Sequence, residues 1–342
     1  MVSPLSTPFK EDNPDSPGSG ISPRNDGSES TAAGAKADHP KNGEDSRPSR
    51  RHRVMAHNLT HRLVTGVPAF AALLALVAYA PPVWIAGVVA VAGVWGLVEY
   101  LHMFTHGPMG FAGARPVVPL AFVAALTGLG GLTGSPLLLQ LALLVAVLGN
   151  VSCCLFREEA GRGLPNTGIA LAGLVLVPYM LNHLGLIAWL PQGRPLLLFL
   201  ILALALGDTL AYTVGTKWGR RPLMPAVSPN KTVEGALGGL AGGAIAGAVA
   251  AWFWPEPLSG DPRGFWDLGG WGAMVLLGVA MAWAGMAGDL LESKLKRING
   301  VKDSGLFLPG HGGILDRLDA YLLAGPVLYY LARAWMWLDG PA

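Results

Sequence analysis

Two stretches of the chain set charged and small residues at spacings that could do chemistry. The richer one is residues 288–319, G-D-L-L-E-S-K-L-K-R-I-N-G-V-K-D-S-G-L-F-L-P-G-H-G-G-I-L-D-R-L-D. On a helix, Asp289, Glu292 and Ser293 share one face by i, i+3 and i+4 spacing. Asp316 and Asp319 lie one turn apart further on and should point the same way. Between these pairs runs a Gly/Pro-rich loop with His311-Gly312-Gly313. Its glycines allow backbone N–H groups to approach an anion closely, near a helix N-terminus whose dipole favours negative charge. His311 either joins that cradle or braces a backbone carbonyl. Lys294, Lys296, Arg297 and Lys302 add positive charge. Carboxylates from two helices can hold a hard divalent cation such as Mg2+, which takes oxygen ligands and keeps positions open for phosphates. Cations and glycine N–H groups can hold the phosphates themselves. A highly charged phosphate substrate therefore fits this set better than a neutral one.

The other stretch is residues 207–235, G-D-T-L-A-Y-T-V-G-T-K-W-G-R-R-P-L-M-P-A-V-S-P-N-K-T-V-E-G. Asp208 falls inside an apolar segment, where a carboxylate is expensive unless it faces a partner or a wet cavity. Either it caps or pairs with a neighbour, or it lines a functional cavity. Lys217, Arg220, Arg221 and Lys231 gather beside it. In Ser228-Pro229-Asn230-Lys231-Thr232, Pro229 suits a turn and Thr232 suits the N-cap of the helix that follows with Glu234.

The elements that must position these residues are helices in a membrane. Of 342 residues, 51% are apolar and only 13% charged, about half the charge of a soluble domain. A water-soluble enzyme of this size is thereby excluded, and so is disorder over most of the chain. The expected fold class is an all-α, polytopic integral membrane protein with about nine transmembrane helices. The apolar segments run roughly 63–80, 83–104, 117–133, 136–156, 166–190, 195–214, 233–254, 271–291 and 313–338. Pro81-Pro82 and Gly134-Ser135-Pro136 are expected reversals. The stretch GALGGLAGGAIAGAVA (235–250) suits close helix packing in lipid. Trp252, Trp254, Trp335 and Trp337 fall near segment ends, as interfacial anchors do.

Residues 1–60 form the expected disordered, polar, cytoplasmic tail, rich in Pro, Ser, Gly, Asp and Lys, and 61–342 the membrane domain. The tail lacks the apolar run of a secretory signal, and its early acidic residues do not suit a transit peptide. Loop charge sets the orientation. With the tail cytoplasmic, the even-numbered loops carry Arg115, Arg157, Arg162, Lys217, Arg220, Arg221, Lys231, Lys294, Lys296, Arg297 and Lys302. The odd-numbered loops carry Arg194 and Arg263. This asymmetry places the N-terminus and both polar stretches on the cytoplasmic side of the plasma (inner) membrane. A net charge of +2 gives no field that would attract nucleic acid. Cys153 and Cys154 are adjacent in an apolar run and read as reduced filler. His102, His106 and His183 read as interfacial or packing residues. Glu99 is either a snorkelling carboxylate or a cavity liner.

No Gly-x-x-x-x-Gly-Lys-Ser/Thr loop, Gly-x-Ser-x-Gly elbow or His-Glu-x-x-His pattern occurs. Residues 293–319 do match a longer pattern: Ser293, Lys296-Arg297, Lys302-Asp303, Pro309-Gly310-His311-Gly312-Gly313, Asp316-Arg317 and Asp319. It resembles the signature of phosphatidate cytidylyltransferases (CDP-diacylglycerol synthases). Residues 207–235 are similar to another segment of that family, departing from it at Leu210 and Asn230. The resemblance is close over 200–330 and extends to the first five helices only in hydropathy. It implies transfer of a cytidylyl group from CTP to phosphatidic acid, with pyrophosphate released. It also implies a homodimer that needs Mg2+, in a metal pair that can include K+. Asp289 and Asp316 match the metal ligands, with Asp319 a further ligand or a support. On that basis Lys296, Arg297, Lys302 and Arg317 would neutralise phosphates, and His311, Gly312 and Gly313 would cradle the pyrophosphate. Ser228, Lys231, Glu234 and Ser293 would complete the substrate side, with Asp208 lining the cavity. A CTP-dependent lipid or polyprenol kinase is the nearest rival. A transporter would call for two repeat-related polar sites, and the sequence shows no internal repeat.

Overall fold

The computed structural model describes residues 67–106, 117–157, 163–253, 270–305 and 312–338. The expected tail lies outside the described residues. Nine helical rods are present among the described residues. They are α1 (Val67–Tyr79), α2 (Pro82–His106), α3 (Val117–Thr133), α4 (Pro136–Arg157), α5 (Gly163–Leu174) continued through a π-helical turn into α6 (Met180–Ala188), α7 (Gly193–Trp218), α8 (Val233–Phe253), α9 (Gly270–Ile298) and α10 (Leu315–Leu338). Each coincides with one of the nine apolar segments. Five of the rods are long and apolar enough to cross a membrane by length and composition: those at 82–105, 165–188, 193–218, 233–253 and 271–298.

The expectation of an all-α fold needs one correction. Between α7 and α8 the chain forms a small antiparallel hairpin of β1 (Pro222–Met224) and β2 (Ser228–Thr232), with Pro222 opposite Thr232 and Met224 opposite Ser228. Two prolines and a short span hid it from a reading tuned to apolar periodicity. At its end the Gly235 N–H donates to Thr232 Oγ1 at 3.1 Å, so Thr232 does cap α8.

Several boundaries follow from local chemistry. The α3–α4 reversal uses Gly134 at φ +67°, a left-handed conformation open to glycine, and Leu138 N donates to Ser135 Oγ. Pro178 has no N–H for the helical ladder, and the chain answers with the π turn at Val175–Tyr179. There Asn182 Nδ2 donates to the Pro178 carbonyl at 2.7 Å. α9 runs past its apolar stretch through Lys296 and Arg297, and stops at Gly300, φ +69°. The Val301 N–H donates to Lys296 O and the Gly300 N–H to Arg297 O, which closes the helix as a Schellman motif.

The core is built from one face of each rod. Leu97, Tyr100 and Leu101 of α2 meet Leu174, Val177 and Leu181 of the α5–α6 rod, and Phe199 and Leu200 of α7 join the same cluster. α8 packs between α7 and α9, and α9 against α10. The α7–α8–α9 sandwich is close because glycine lines it. A Cβ on Gly242 would overlap the Leu206 backbone, and one on Gly243 would overlap the Gly278 carbonyl. Large apolar side chains such as Val88, Val91, Leu144 and Leu148 point outward, as they do where lipid is the solvent. Trp252 and Trp337 are exposed near helix ends as expected, while Trp254 and the side chains of Cys153, Cys154 and His106 lie outside the described residues.

Gly243→Ala should therefore destabilise the protein by about 1–3 kcal/mol, because a packed backbone must move apart. Gly149→Ala, where a Cβ meets nothing within 4 Å, should leave stability unchanged or slightly raised. Thermal unfolding of the two variants in the same detergent checks the contrast.

Candidate functional site

The ends of three rods and the hairpin bring the polar residues together. Asp289, Glu292, Ser293 and Lys296 ride on the last turns of α9, where i, i+3 and i+4 spacing stacks them on one face. Lys296 reaches across to α10. Its Nζ lies 2.5 Å from Glu292 Oε2 and 2.7 Å from Asp316 Oδ1. The Glu292 side chain is only 1% exposed, and neither of its oxygens accepts a well-aligned hydrogen bond. Among the described residues its one ion pair is with Lys296, one turn along the same helix. Asp289 is ion-paired with Lys231 of β2, and Ser293 Oγ donates to its other oxygen at 3.4 Å. The site thus holds two acidic positions on neighbouring helices, each met by a lysine.

Asp316 does more than meet Lys296. Its Oδ2 accepts from Gly313 N at 2.8 Å and Ser304 N at 3.0 Å, and Ser304 Oγ stands 3.1 Å away. Gly312, at φ +78°, makes the turn that aims the Gly313 N–H inward. A carboxylate in the first turn of a helix, fed by N–H groups, is favoured by the helix dipole.

Glu99 of α2 grips the same turn from the other side. It is 7% exposed. Its Oε1 accepts from Ile314 N at 3.1 Å and its Oε2 from Leu315 N at 3.0 Å, two N–H groups that α10 itself cannot satisfy. Ser304 Oγ lies 3.2 Å from Glu99 Oε2 as well as near Asp316, so its single proton serves one carboxylate at a time. Neither snorkelling nor cavity lining describes Glu99: it is a cap supplied by another helix. Sequence reasoning flagged its charge at membrane depth but had no signal for its partner, and it missed Ser304 altogether.

A cavity of about 700 Å³ opens beside Asp289. Asp208, Tyr212, Ser228, Lys231 and Asp289 line it, with small residues of α7 and α8 forming its back wall. Asp208 is thus placed as a cavity liner. The remaining expected residues are scattered more widely. Glu234 Oε2 accepts from Arg220 N and Arg221 N, so it braces the entry to the hairpin. Arg297 Nε donates to the Val227 carbonyl at 3.3 Å and ties the hairpin to α9. Asp319 Oδ1 accepts from Ala320 N. Lys302 and Arg317 are exposed. His311 lies outside the described residues. His183 is a buried packing residue, edge-on to Tyr179 and Tyr329. Among the described residues no three His, Cys, Asp or Glu side chains converge as a ready-made metal cage. Two carboxylates on facing helices do suit an ion that takes one or two protein carboxylates and completes its shell with water and phosphate oxygens.

The chain matches the model of the Cytidylyltransferase family over residues 60–335. It is 30% identical to a phosphatidate cytidylyltransferase of Mycobacterium bovis over 84% of this chain and 93% of that one. It is 35% identical to a phosphatidate cytidylyltransferase of Brucella suis over 60% of this chain and 69% of that one. With the Synechocystis phosphatidate cytidylyltransferase the identity is 42%, over 41% of this chain and 45% of the other.

Glu99→Gln should turn one acceptor into a donor facing a buried N–H group. The expected loss is about 1–3 kcal/mol of stability, with weakened protection of the 312–316 amides in hydrogen exchange. Glu99→Ala should do at least as much. Unchanged exchange at Ile314 and Leu315 in either variant would remove the cap assignment.

Proposed function

The chain belongs to the cytidylyltransferase family, and we infer from that premise that it is an integral membrane enzyme transferring the cytidylyl group of CTP to phosphatidic acid, giving CDP-diacylglycerol and pyrophosphate. The observation that carries the reading is the pair of lysine-held carboxylates: Asp289 with Lys231, which line a cavity that also holds Asp208 and Ser228, and Asp316 with Lys296, which bridge α9 and α10. Such a set binds anions and a cation together, which a substrate pair of two phosphates requires.

The chemistry needs little acid–base help. The attacking phosphate oxygen of the lipid is largely ionised near neutral pH, because a phosphomonoester's second pKa is about 6. It bonds to the α-phosphorus of CTP as the bond from that phosphorus to the bridging oxygen breaks, and pyrophosphate departs. The obstacle is repulsion between two anions, so catalysis is positioning and charge neutralisation. Asp289 and Asp316 would hold Mg2+, with K+ as a second ion in the pair. Bound there, the metal supplies positive charge for the triphosphate and its leaving group. Lys231 and Lys296 stand at both carboxylates and offer ammonium groups to phosphate oxygens. Lys302, Arg317 and Arg297 would extend the positive field, and the same reading assigns Gly312, Gly313 and His311 to the departing pyrophosphate. Ser228 and Ser293 supply hydroxyl donors on the nucleotide side. Asp319 supports the metal side from the second turn of α10, and Glu234 keeps the hairpin in place.

The nine apolar segments support nine crossings of the cytoplasmic (inner) membrane, and loop charge supports an N-terminus and site on the cytoplasmic face, where CTP is at hand. A homodimer is part of the same reading.

Purified protein given phosphatidic acid, Mg2+ and CTP labelled at the α-phosphate should place label in the lipid phase. Label entering the lipid from the γ-phosphate instead would make it a kinase and overturn the reading. Asp316→Asn should lower turnover by about 100-fold or more, the scale for losing one electrostatic stabiliser of the transition state.

A further inference from the structure

Apart from the cavity at the site, α1, α2, α6, α7 and α10 enclose a groove of about 420 Å³. It shares no lining residue with the cavity beside Asp289. Its walls are apolar, apart from Arg317 and the hydroxyl-bearing Tyr321 of α10. Phe70 of α1 and Val88 of α2 line it and are 46% and 50% exposed, so it opens sideways from the bundle and not into the core.

Position along the helices gives the groove a direction. Arg317 follows Asp316, so the charged part of the lining belongs to the turn of α10 that carries the site. Ile85, Val88 and Ala92 lie seven to fourteen residues before Glu99 on α2. At 1.5 Å per residue they sit about 10–21 Å from the site along the helix axis. Leu197 and Ile201 of α7 likewise precede Asp208, away from the nucleotide-side cavity. The groove therefore runs from a cation on the turn of α10 that carries Asp316 toward the middle of the bundle, between exposed apolar side chains. A cation at the polar end of an apolar channel matches one kind of ligand, an anionic amphiphile with its tail in the bilayer.

We propose that this groove receives an acyl chain of the lipid substrate, with Arg317 beside the lipid phosphate, and that Val88 and its neighbours set the chain length accepted. The proposal rests on the reading that the lipid substrate is phosphatidic acid. Lipid and nucleotide then reach the carboxylates from separate cavities, one open to the hydrocarbon and one lined by the hairpin.

The test compares phosphatidic acids with two eight-carbon or two eighteen-carbon chains in mixed micelles. Val88→Trp, which blocks the groove far from the site, should raise KM for the eighteen-carbon lipid about tenfold, the scale of a misfit in an apolar pocket. KM for the eight-carbon lipid and for CTP should stay within twofold. Val91→Trp, on the same helix but outside the groove and 68% exposed, should change neither. An active Val88→Trp enzyme with the parent's chain-length profile would overturn the groove assignment. Failure of the parent to form a cytidylyl lipid from either substrate would instead overturn the functional reading beneath it. A second measurement needs no variant: phosphatidic acid bearing a diazirine at the chain terminus should label residues 69–92 of the parent protein on irradiation. Labelling confined to other helices would also overturn the proposal.

Discussion

Lys296 between two carboxylates is the interaction on which the rest of the site depends. Glu292 is buried on α9, and Asp316 opens α10. Without an ammonium between them, two carboxylates could not both stay ionised in a poorly solvated place, and one would have to take up a proton. With it, α9 and α10 are tied at the level where both carry their acidic side chains. The lysine thus does two things at once: it makes the acidic cluster tolerable and it fixes the register of the helices that present it.

The other half of that constraint is the start of α10. A helix N-terminus has N–H groups with no partner in its own ladder, and a membrane protein cannot leave them bare away from water. Glu99 takes the N–H groups of Ile314 and Leu315, and Asp316 takes those of Gly313 and Ser304. The loop before α10 is thereby tied to α2 and to α10 together. Gly305 and Gly313 are part of the same arrangement, since a Cβ at either would overlap the Glu99 carboxylate. The glycines that read as an anion cradle in sequence also make room for an internal carboxylate cap.

Apolar segments and their Gly/Pro boundaries made the rods legible, since length and hydropathy are local properties. The acidic residues from Asp289 to Asp319 were legible as a candidate site because their spacing stacks them on helix faces. Partnerships were not legible. Nothing local says that Glu99 meets a residue more than two hundred positions away, that Lys231 pairs with Asp289, or that Glu234 serves the backbone of Arg220 and Arg221. The hairpin was missed because its three- and five-residue strands carry no alternation strong enough to register. The π turn was missed because Pro178 sits in an otherwise unbroken apolar run.

Why the polar residues gather at helix ends, and not at mid-bundle, follows from the solvent. An ion at the centre of a bilayer is costly, and the cost falls toward the interface. Asp289, Glu292 and Lys296 occupy the last turns of α9, Asp316 the first turn of α10, and Lys231 the strand just before α8. Glycine packing lets α7, α8 and α9 approach closely, so these termini converge on one small volume, and Asp208, further down α7, faces the cavity beside them. The close-packed glycine sandwich and the polar site are therefore one solution: tight rods below let short polar turns above share a few cations. A bundle with bulkier residues at Gly242, Gly243 and Gly278 would splay those turns apart, and the lysines could no longer span from one carboxylate-bearing element to the next.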